Sequence, residues 1–448
     1  MRFSKKRLVA LLVALFLIGV VALKLGILGR VSILEKPAIS KVTLENGMTL
    51  IVKENHAAPL VAIDAWVRAG AMNEGDENNG ISHFFEHMLF KGTEKRKAGE
   101  ISLEIESVGG YSNAATSKDY THYYVVVPSE HFDLALDVLA DVIMNPAFDR
   151  EEIERERKVI LEEKRRSMDN PRALVFNLLY EIAYLEHPYR RTVLGTMESI
   201  SGIERGDFFA YHREYYAPNN MAVIVVGDVS RDEVISKARL AFKDFERRAL
   251  PEQEYPKEGE QEGVRRKTIE KDVEQSYLAI AFHGPSGEHE DGYALDVLAT
   301  ILGSGRGSRL YQRLKEEKRL VTDVDAFFLT QKEPGLFFVF ATLKEENLGI
   351  VEVEIIAEIS NLVREPATEE ELERAKTFLT TDYAYETETN RDQAEAMGYY
   401  ETIAGDYGLA LDYPKMVRKV SSRDVQRVAE RYLSGGDYSI AIVKPEGG

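Results

Sequence analysis

Strand-like and helix-like patterns of apolar and polar residues alternate along the first half of the chain. The segment VTLENGMTLIVKE, residues 42–54, alternates around Asn46-Gly47, the strongest short-range signal of a β-hairpin. PLVAIDAWVRAG, residues 59–70, predicts another strand, and NNMAVIVVGD, residues 219–228, predicts a buried one. Apolar residues recur at helical spacing in the segments 83–91, 100–108, 129–144, 150–168 and 172–185.

The second half repeats part of this order. A strand is predicted at 276–283, and ERYLSGGDYSIAIV from Glu430 resembles EYYAPNNMAVIVV from Glu214. Each of these two segments is a helix end with an aromatic residue, a turn and an apolar strand. Because strands and helices mix without regular βαβ alternation, we predict the α+β class. We expect two related halves, each a mixed, mostly antiparallel sheet packed with helices.

Length and composition predict where the halves divide. A chain of 448 residues is too long for one ordinary core. The segment RALPEQEYPKEGEQEGVRRK, residues 248–267, is polar, contains two prolines and two glycines, and is interpreted as a linker. We therefore predict an N-terminal domain at 37–247 and a C-terminal domain of the same fold, without a metal site, at 268–446.

The first thirty residues, 1–30, have the layout of a hydrophobic leader helix. Four basic residues precede an unbroken apolar run from Leu8 to Leu23. The segment is either a signal peptide, cleaved near Val20-Val21-Ala22, or an anchor that continues past Lys24 and spans the membrane. In both cases we expect the rest of the chain to be extracytoplasmic, membrane-anchored or secreted, and periplasmic in a host with two membranes.

Charge and cysteine content exclude several function classes. The net charge is −18 and no stripe dense in Lys and Arg is present, so nucleic acid is not expected as a partner. The chain has no cysteine, which excludes disulfides, thiolate nucleophiles and cysteine-based metal sites.

The segment HFFEHMLFKGT, residues 83–93, holds two of the nine histidines. Residues i and i+4 lie on the same face of a helix, so His83 and His87 can both direct an imidazole nitrogen at one metal ion. Glu86 lies three residues after His83, so its carboxylate reaches the rim of the same site. This arrangement is H-x-x-E-H, the reverse of the H-E-x-x-H zinc helix. The alternative is a solvated or core-capping histidine pair.

A third metal ligand must come from elsewhere, because catalytic zinc usually has three protein ligands and one open position. The candidate segment is the strongly helical EEIERERKVILEEKRRSMDNP, residues 151–171, in which Glu156 and Glu163 lie seven residues apart on one face. The buried side of this helix is predicted from its apolar residues, Ile153, Val159 and Ile160. A carboxylate near such a stripe loses solvation unless it is paired or bound to metal. Taken alone, the segment is typical of a charged, solvated helix.

Together, HFFEHMLFKGT, GGYSNAATSKDYTHYY and ERERKVILEE resemble the pitrilysin/insulinase family of zinc metallopeptidases. In length the chain is similar to the processing-peptidase branch, which includes mitochondrial processing peptidase. The resemblance extends over nearly all of the chain after the leader. It is specific in the first half and looser in the second.

The resemblance implies roles for individual residues. It makes Glu163 the third ligand, beside His83 and His87, of one Zn²⁺ per chain. Glu86 would be the general base, and Glu156 the accompanying acidic residue that supports the metal site. The SNAATS segment would be an edge strand that pairs with the backbone of a peptide substrate, with Asn113 and Ala114 as contacts. The implied activity is that of an endopeptidase acting on extended peptides or unfolded segments.

The second half departs from the family pattern. Family members that work alone have an arginine and a tyrosine seven residues apart after a Ser-Arg-Leu segment. Here Ser308-Arg309-Leu310 is followed by Lys315 and Thr322 at these positions. Threonine cannot replace a phenol as donor, and lysine replaces arginine only in part. The favoured explanation is a hetero-oligomer in which a related subunit supplies the Arg/Tyr pair, although a homodimer, or a lone chain with altered chemistry, stays open.

Two other functions compete with this one. Non-catalytic core subunits of respiratory complexes belong to the same family, but they typically lose metal-site residues, whereas His83, Glu86, His87 and Glu163 are all present here. A peptidase dedicated to maturing one small peptide is the second alternative.

Overall fold

The computed structural model of the protein describes residues 39–252 and 254–447. The predicted leader, residues 1–30, lies outside the described residues, so the leader helix and its role stay predictions. Within the described part of the chain, no helix combines the length and hydrophobicity needed to cross a membrane.

The first half is built on a six-stranded sheet in the order β1-β2-β6-β3-β5-β4. Its strands are β1 Ile39–Thr43, β2 Thr49–Glu54, β3 Leu60–Val67, β4 Tyr111–Thr116, β5 Thr121–Pro128 and β6 Met221–Gly227. β2 runs parallel to β6, whereas β6, β3, β5 and β4 pair antiparallel. The predicted turn at Asn46-Gly47 is confirmed, because Leu44 N–H donates to Met48 O and Gly47 has φ of 91°, a left-handed value suited to glycine. β4 forms one edge of this sheet.

The second half is built on a five-stranded sheet in the order β7-β11-β8-β10-β9. Its strands are β7 Arg265–Lys271, β8 Ser276–His283, β9 Val321–Leu329, β10 Leu336–Leu343 and β11 Ser439–Pro445. β7 runs parallel to β11 and the other neighbours pair antiparallel. This topology matches β2-β6-β3-β5-β4 strand for strand, which confirms two related α+β halves. Residues 265–267 of the predicted linker belong to β7.

Helices cover both sheets. Those of the first half are α1 Ile81–Leu89, α2 Glu100–Ser107, α3 Phe132–Met144, α4 Arg150–Asp169, α5 Pro171–Ala183, α6 Met197–Gly202, α7 Arg205–Tyr215 and α8 Arg231–Ala241. Those of the second half are α9 Asp291–Leu302, α10 Leu348–Arg364, α11 Glu369–Glu386, α12 Asn390–Ile403, α13 Gly408–Lys419 and α14 Ser422–Val428. Short turns of 3-10 or π helix occur between them, including a π turn at Tyr311–Glu317. The five helices predicted in the first half are present, with ends shifted by at most three residues.

Each half covers the other's sheet with one helix. α5 of the first half packs on β8 and β11 of the second sheet, where Leu179 joins a buried cluster with Phe338 of β10. In return, α12 of the second half packs on β3 and β6. The contact at α12 is close, since a Cβ atom at Gly398 would lie 2.2 Å from Nε1 of Trp66 on β3. Each sheet therefore has part of its apolar face covered by a helix from the other half.

Hydroxyl groups of the first half also hold the loop between β9 and β10, residues 330–335. Tyr184 donates to the Pro334 carbonyl at 2.6 Å, and Tyr189 accepts from the Glu333 N–H at 3.0 Å. These hydrogen bonds attach the tip of the second-half hairpin to the first half.

Candidate metal and active site

α1 begins at a carboxylate buried beneath it. Gly80 precedes the helix with φ of 97°, and the Glu74 side chain accepts from the N–H groups of Gly80 (2.7 Å) and Ser82 (2.8 Å). The carboxylate thereby pairs with N–H groups that have no partner inside the helix. Burial raises the pKa of Glu74 to about 7, against the hydrogen bonds, which lower it. Glu74 fixes where α1 starts, and no sequence pattern indicated this contact.

The side chains of His83, His87 and Glu163 converge. Nε2 of each histidine lies 3.7 Å from Oε2 of Glu163, and one ligand atom from each of the three residues lies within 4.8 Å of the others. The imidazole rings meet edge to face at 4.7 Å between centroids. Among the described residues, no other group of three or more His, Asp or Glu side chains meets this criterion.

This donor set fits a zinc ion. Two imidazole nitrogens and one carboxylate oxygen are common zinc ligands, and in a tetrahedron with bonds of about 2.1 Å they would lie roughly 3.4 Å apart. Burial, together with the neighbouring His87, lowers the pKa of His83 to about 3, so this imidazole is neutral near pH 7. A neutral imidazole has the free lone pair that a metal ligand requires. Three ligands leave a position for water or substrate.

Glu163 and Glu156 are positioned by α4. Asp149 caps the helix by accepting from Glu151 N–H and Glu152 N–H, and the side chains of Ile153 and Ile160 are buried in the first-half core. The prediction that Val159 lies on this buried side is wrong: Val159 is 50% exposed. Positions 153 and 160 are seven residues apart and repeat on one face, whereas position 159 is rotated away by about 100°.

Glu156 lies behind the site and contacts His87 from the side opposite Glu163. Its Oε2 atom is 3.2 Å from Nδ1 of His87, and its Oε1 atom is 2.8 Å from Nζ of Lys91. The hydrogen bond to His87 lowers the pKa of Glu156, with a further contribution from Lys91. Burial lowers the pKa of His87, but the hydrogen bond that His87 donates to Glu156, together with nearby carboxylates, outweighs burial and raises the pKa. Lys91 was not identified from the sequence, although it lies four residues after His87.

Glu86 is half-buried at the rim of the site, on the same helix as the two histidines. Burial raises the pKa of its carboxyl group, and the hydroxyl of Thr116 donates to Oε2 at 2.6 Å. A carboxylate with a raised pKa, next to a metal site, suits proton transfer. Thr116 was missed by sequence reasoning, because nothing in SNAATS distinguishes it from the other small polar residues.

The predicted substrate contacts, Asn113 and Ala114, lie on the edge strand β4. Asn113 is exposed, and its side-chain oxygen accepts from the Ala114 N–H at 2.9 Å. Among the strands that the structure describes, β4 pairs with β5 alone, so the other side of β4 is open for pairing. Thr116 at the end of the same strand reaches Glu86, so the open edge leads directly to the candidate site.

The second half has no donor pair of the expected type at the aligned positions. Lys315 lies in the π turn with Nζ above the Tyr311 ring, 4.8 Å from its centroid. Thr322 lies on β9, where its hydroxyl donates to the Thr342 carbonyl at 3.0 Å. The Thr322 side chain is therefore engaged within its own sheet.

Two family models match the chain. One, described as Insulinase (Peptidase family M16), matches residues 49–197, which include the whole candidate site. The other, described as Peptidase M16 inactive domain, matches residues 202–379. An uncharacterized zinc protease of Bacillus subtilis is 31% identical over 411 residues, covering 91% of this chain and 99% of that protein.

The chain belongs to peptidase family M16, the insulinase family.

Two further proteins match the chain over most of its length. A probable mitochondrial-processing peptidase subunit beta from Arabidopsis thaliana is 30% identical over 427 residues, which is 92% of this chain and 80% of that protein. The crystal structure of a protease from Helicobacter pylori has a TM-score of 0.86 and 29% identity, covering 91% of this chain and all of that chain. This M16 chain is thus similar to zinc proteases along nearly its full length.

Proposed function

We propose that the chain is a zinc-dependent endopeptidase that cleaves extended peptides or unfolded polypeptide segments. The observation that carries the proposal is the convergence of His83, His87 and Glu163, with ligand atoms within 4.8 Å, beside the half-buried Glu86. The names of the relatives, which include zinc proteases, support the same activity.

In this proposal His83, His87 and Glu163 hold one Zn²⁺. Zinc bound there would supply Lewis-acid chemistry, lowering the pKa of water and polarising the peptide carbonyl. Glu86 accepts the proton of the attacking water at a carboxylate oxygen and later gives it to the leaving amine. Burial raises the pKa of Glu86 above its ordinary value, which makes this carboxylate a better proton acceptor. Glu156 keeps the Nδ1 proton of His87 in place, so that Nε2 faces Glu163.

The substrate backbone pairs with the open edge of β4. An extended peptide added to a sheet edge gains main-chain hydrogen bonds that do not depend on its sequence, and this suits a peptidase for unfolded segments. Asn113 and Ala114 lie along this edge, and the Ala114 N–H, now paired with the Asn113 side chain, is a donor for a substrate carbonyl. A segment whose main-chain groups are already paired within a folded domain cannot add to this edge.

In this proposal a partner subunit supplies the arginine and tyrosine that family members working alone have in their second half. Lys315 and Thr322 replace the Arg/Tyr pair of family members that work alone, and Thr322 is hydrogen-bonded within its own sheet. One relative is named a beta subunit, which fits assembly with a related chain. We expect weak cleavage by the purified chain and strong cleavage after a related Arg/Tyr-bearing chain is added. High activity of the chain alone would contradict the partner requirement and leave the peptidase proposal intact.

The leader places this activity outside the cytoplasm, either at the membrane or as a secreted enzyme. The apolar run from Leu8 to Leu23, preceded by basic residues, carries this part of the proposal. Cell fractionation of the full chain in its native host tests it, and recovery in the cytoplasmic fraction would contradict it.

The peptidase proposal is tested by metal content and peptide cleavage together. The full chain should contain about one zinc per chain and cleave quenched fluorescent peptides of mixed sequence, with activity lost to a chelator and restored by zinc. A chain without zinc and without cleavage, alone or with the partner, would instead be a structural subunit.

A further inference from the structure

Thr116 is the residue that holds the candidate base. Its hydroxyl donates to Oε2 of Glu86 at 2.6 Å. Among the residues that the structure describes, no other group is hydrogen-bonded to the Glu86 carboxylate. A hydroxyl has one proton to donate, so this contact occupies one carboxylate oxygen and leaves the other free. The position of the free oxygen thus depends on a single hydrogen bond.

The main chain of Thr116 faces the open side of β4. In the adjoining turn, Ser117 N–H donates to the Tyr120 carbonyl at 2.8 Å, so these two residues form a hydrogen-bonded pair. Hydrogen-bonded and non-hydrogen-bonded pairs alternate along an antiparallel ladder. Thr116, which lies opposite Thr121, therefore directs its N–H and C=O away from β5.

The same alternation applies two residues earlier. Ala114 lies opposite Tyr123 and also directs its main-chain groups outward. Its N–H is paired with the Asn113 side chain instead of with β5. The open edge next to the candidate site is therefore formed by the main-chain groups of Ala114 and Thr116.

We propose that Thr116 is a positioning residue that sets the base and the substrate in one register. Its outward main-chain groups pair with the peptide, while its hydroxyl holds the Glu86 carboxylate. This inference rests on the proposed peptidase function. Thr116 would contact the peptide through its main chain and Glu86 through its hydroxyl. A peptide that binds one step along β4 would therefore present the wrong carbonyl to Glu86.

The Glu86 side chain is flexible and needs a partner such as Thr116 to fix its carboxylate. A glutamate has three rotatable side-chain bonds, so the carboxylate of an unheld Glu86 would sample several positions at the rim of the site. A displacement of about 1 Å between catalytic groups is enough to lower a rate by roughly a hundredfold. Thr116 prevents this displacement, and among the described residues its hydroxyl is hydrogen-bonded to Glu86 and to no proposed metal ligand.

The test compares three variants of the full chain. Thr116→Val removes the hydroxyl but keeps the shape and strand preference of the side chain. Thr116→Ser restores a hydroxyl in its place. Thr268→Val is the matched control, because it makes the same exchange at an exposed position of β7, an edge strand of the other sheet, where the side chain makes no hydrogen bond to any described residue.

For the Val variant we expect a fall in kcat of about ten- to a hundredfold, with KM and zinc affinity within about twofold of the wild type. The Ser variant should recover most of kcat, and the Thr268→Val variant should match the wild type. A Val variant with wild-type kcat would overturn the proposal. An equal loss in the Thr268→Val variant would also overturn it, because the effect would then follow from a Thr→Val exchange far from Glu86.

A second measurement does not depend on activity. Crystal structures of the wild type and of the Thr116→Val variant show where the Glu86 carboxylate lies in each. We expect it to move from its position beside residue 116 in the variant, with the backbone of β4 unchanged. If the carboxylate keeps its position without the hydroxyl, the positioning role is wrong. If the wild type neither binds zinc nor cleaves peptides, the peptidase function fails, whatever the position of the carboxylate.

Discussion

Glu156 Oε2 lies 3.2 Å from Nδ1 of His87, on the far side of the imidazole from Glu163. A carboxylate at Nδ1 accepts the Nδ1 proton, so the lone pair of the neutral ring is at Nε2, the atom that faces Glu163. Lys91, 2.8 Å from the other oxygen of Glu156, keeps this carboxylate charged. The ring thus has both its tautomer and its orientation set before any metal binds.

Glu156→Gln should weaken zinc binding by about ten- to a hundredfold, the usual effect of losing a hydrogen-bond partner behind a ligand. The amide is isosteric, but it cannot keep the charge that favours the Nδ1 proton. Zinc affinity is measured by competition with a chromophoric chelator. Glu162→Gln is the control, because Glu162 is an exposed residue of α4 paired with Arg165 and Arg166. Equal affinities of both variants would refute the role of Glu156.

Glu86→Gln should retain zinc and lose turnover. The change keeps the size of the side chain and the contact with Thr116, but an amide cannot accept the proton of the attacking water. The expected loss in kcat is about 10²- to 10⁴-fold. Zinc content from elemental analysis and kcat from a quenched peptide are measured on the same sample. Full activity of this variant would remove Glu86 as the base.

His87→Ala provides the contrasting result. It removes a proposed ligand, so zinc content itself should fall well below one ion per chain. Activity should disappear together with the metal and should not return when zinc is restored to ordinary concentrations. Retention of tightly bound zinc would show that the metal is held elsewhere.

Ionisation of the buried Asp119 should make the free energy of unfolding depend on pH. It is 4% exposed, accepts from the Tyr189 hydroxyl, and burial raises its pKa to about 6. Between pH 4 and 6 the folded chain therefore binds a proton that the unfolded chain has released, so a rise in pH lowers stability across this window. The free energy of unfolding should fall by roughly 3 kcal/mol across this window, which corresponds to a pKa of about 6 in place of the ordinary value near 4.

The measurement is the free energy of unfolding of the wild type and of Asp119→Asn at a series of pH values. The wild type should lose stability relative to the variant as the pH rises from 4 to 6, and the difference should then stay constant. Asp244→Asn, which changes an exposed carboxylate, controls for net charge. A constant difference from pH 4 to pH 7 would show that Asp119 is ionised throughout.

Gly398→Ala tests the packing of α12 on the first sheet. An added Cβ would lie 2.2 Å from Trp66 Nε1, so helix and sheet must separate, and overpacking of this kind costs about 1–3 kcal/mol. Trp66 is the only tryptophan in the chain, so its fluorescence reports on this contact directly. Gly349→Ala is the control, since a Cβ there meets no atom within 4 Å. Equal stability and an unchanged emission spectrum in both variants would show that the contact has room for a methyl group.

The parts of the site that were predictable are those fixed within one helix or by repeated spacing. His83, Glu86 and His87 lie on one helical turn, so their order alone places them together. Glu163 was found because its segment resembled a known family, and only the fold shows that α4 packs against α1. The hairpin at Asn46-Gly47 was equally local, because a left-handed glycine determines the turn.

The contacts that escaped prediction join distant segments through single side chains. Thr116 reaches Glu86 across 30 positions of sequence, and Glu74 caps α1 from a preceding loop. Neither contact produces periodicity, because each depends on the tertiary arrangement. Val159 was placed wrongly because an apolar residue was assumed to be buried, although isolated apolar side chains are common on protein surfaces.

Helix α5 of the first half packs on the second sheet, and helix α12 of the second half packs on the first sheet. Each half therefore depends on the other to bury its sheet. If either half is produced separately, the apolar sheet face that the other half's helix covers is exposed to solvent. We expect such a half to aggregate unless the other half is present to bind it. A chain nicked between residues 254 and 262, where the structure has no helix or strand, would by contrast remain assembled and migrate as two pieces only after denaturation. We therefore expect separately produced halves to complement each other.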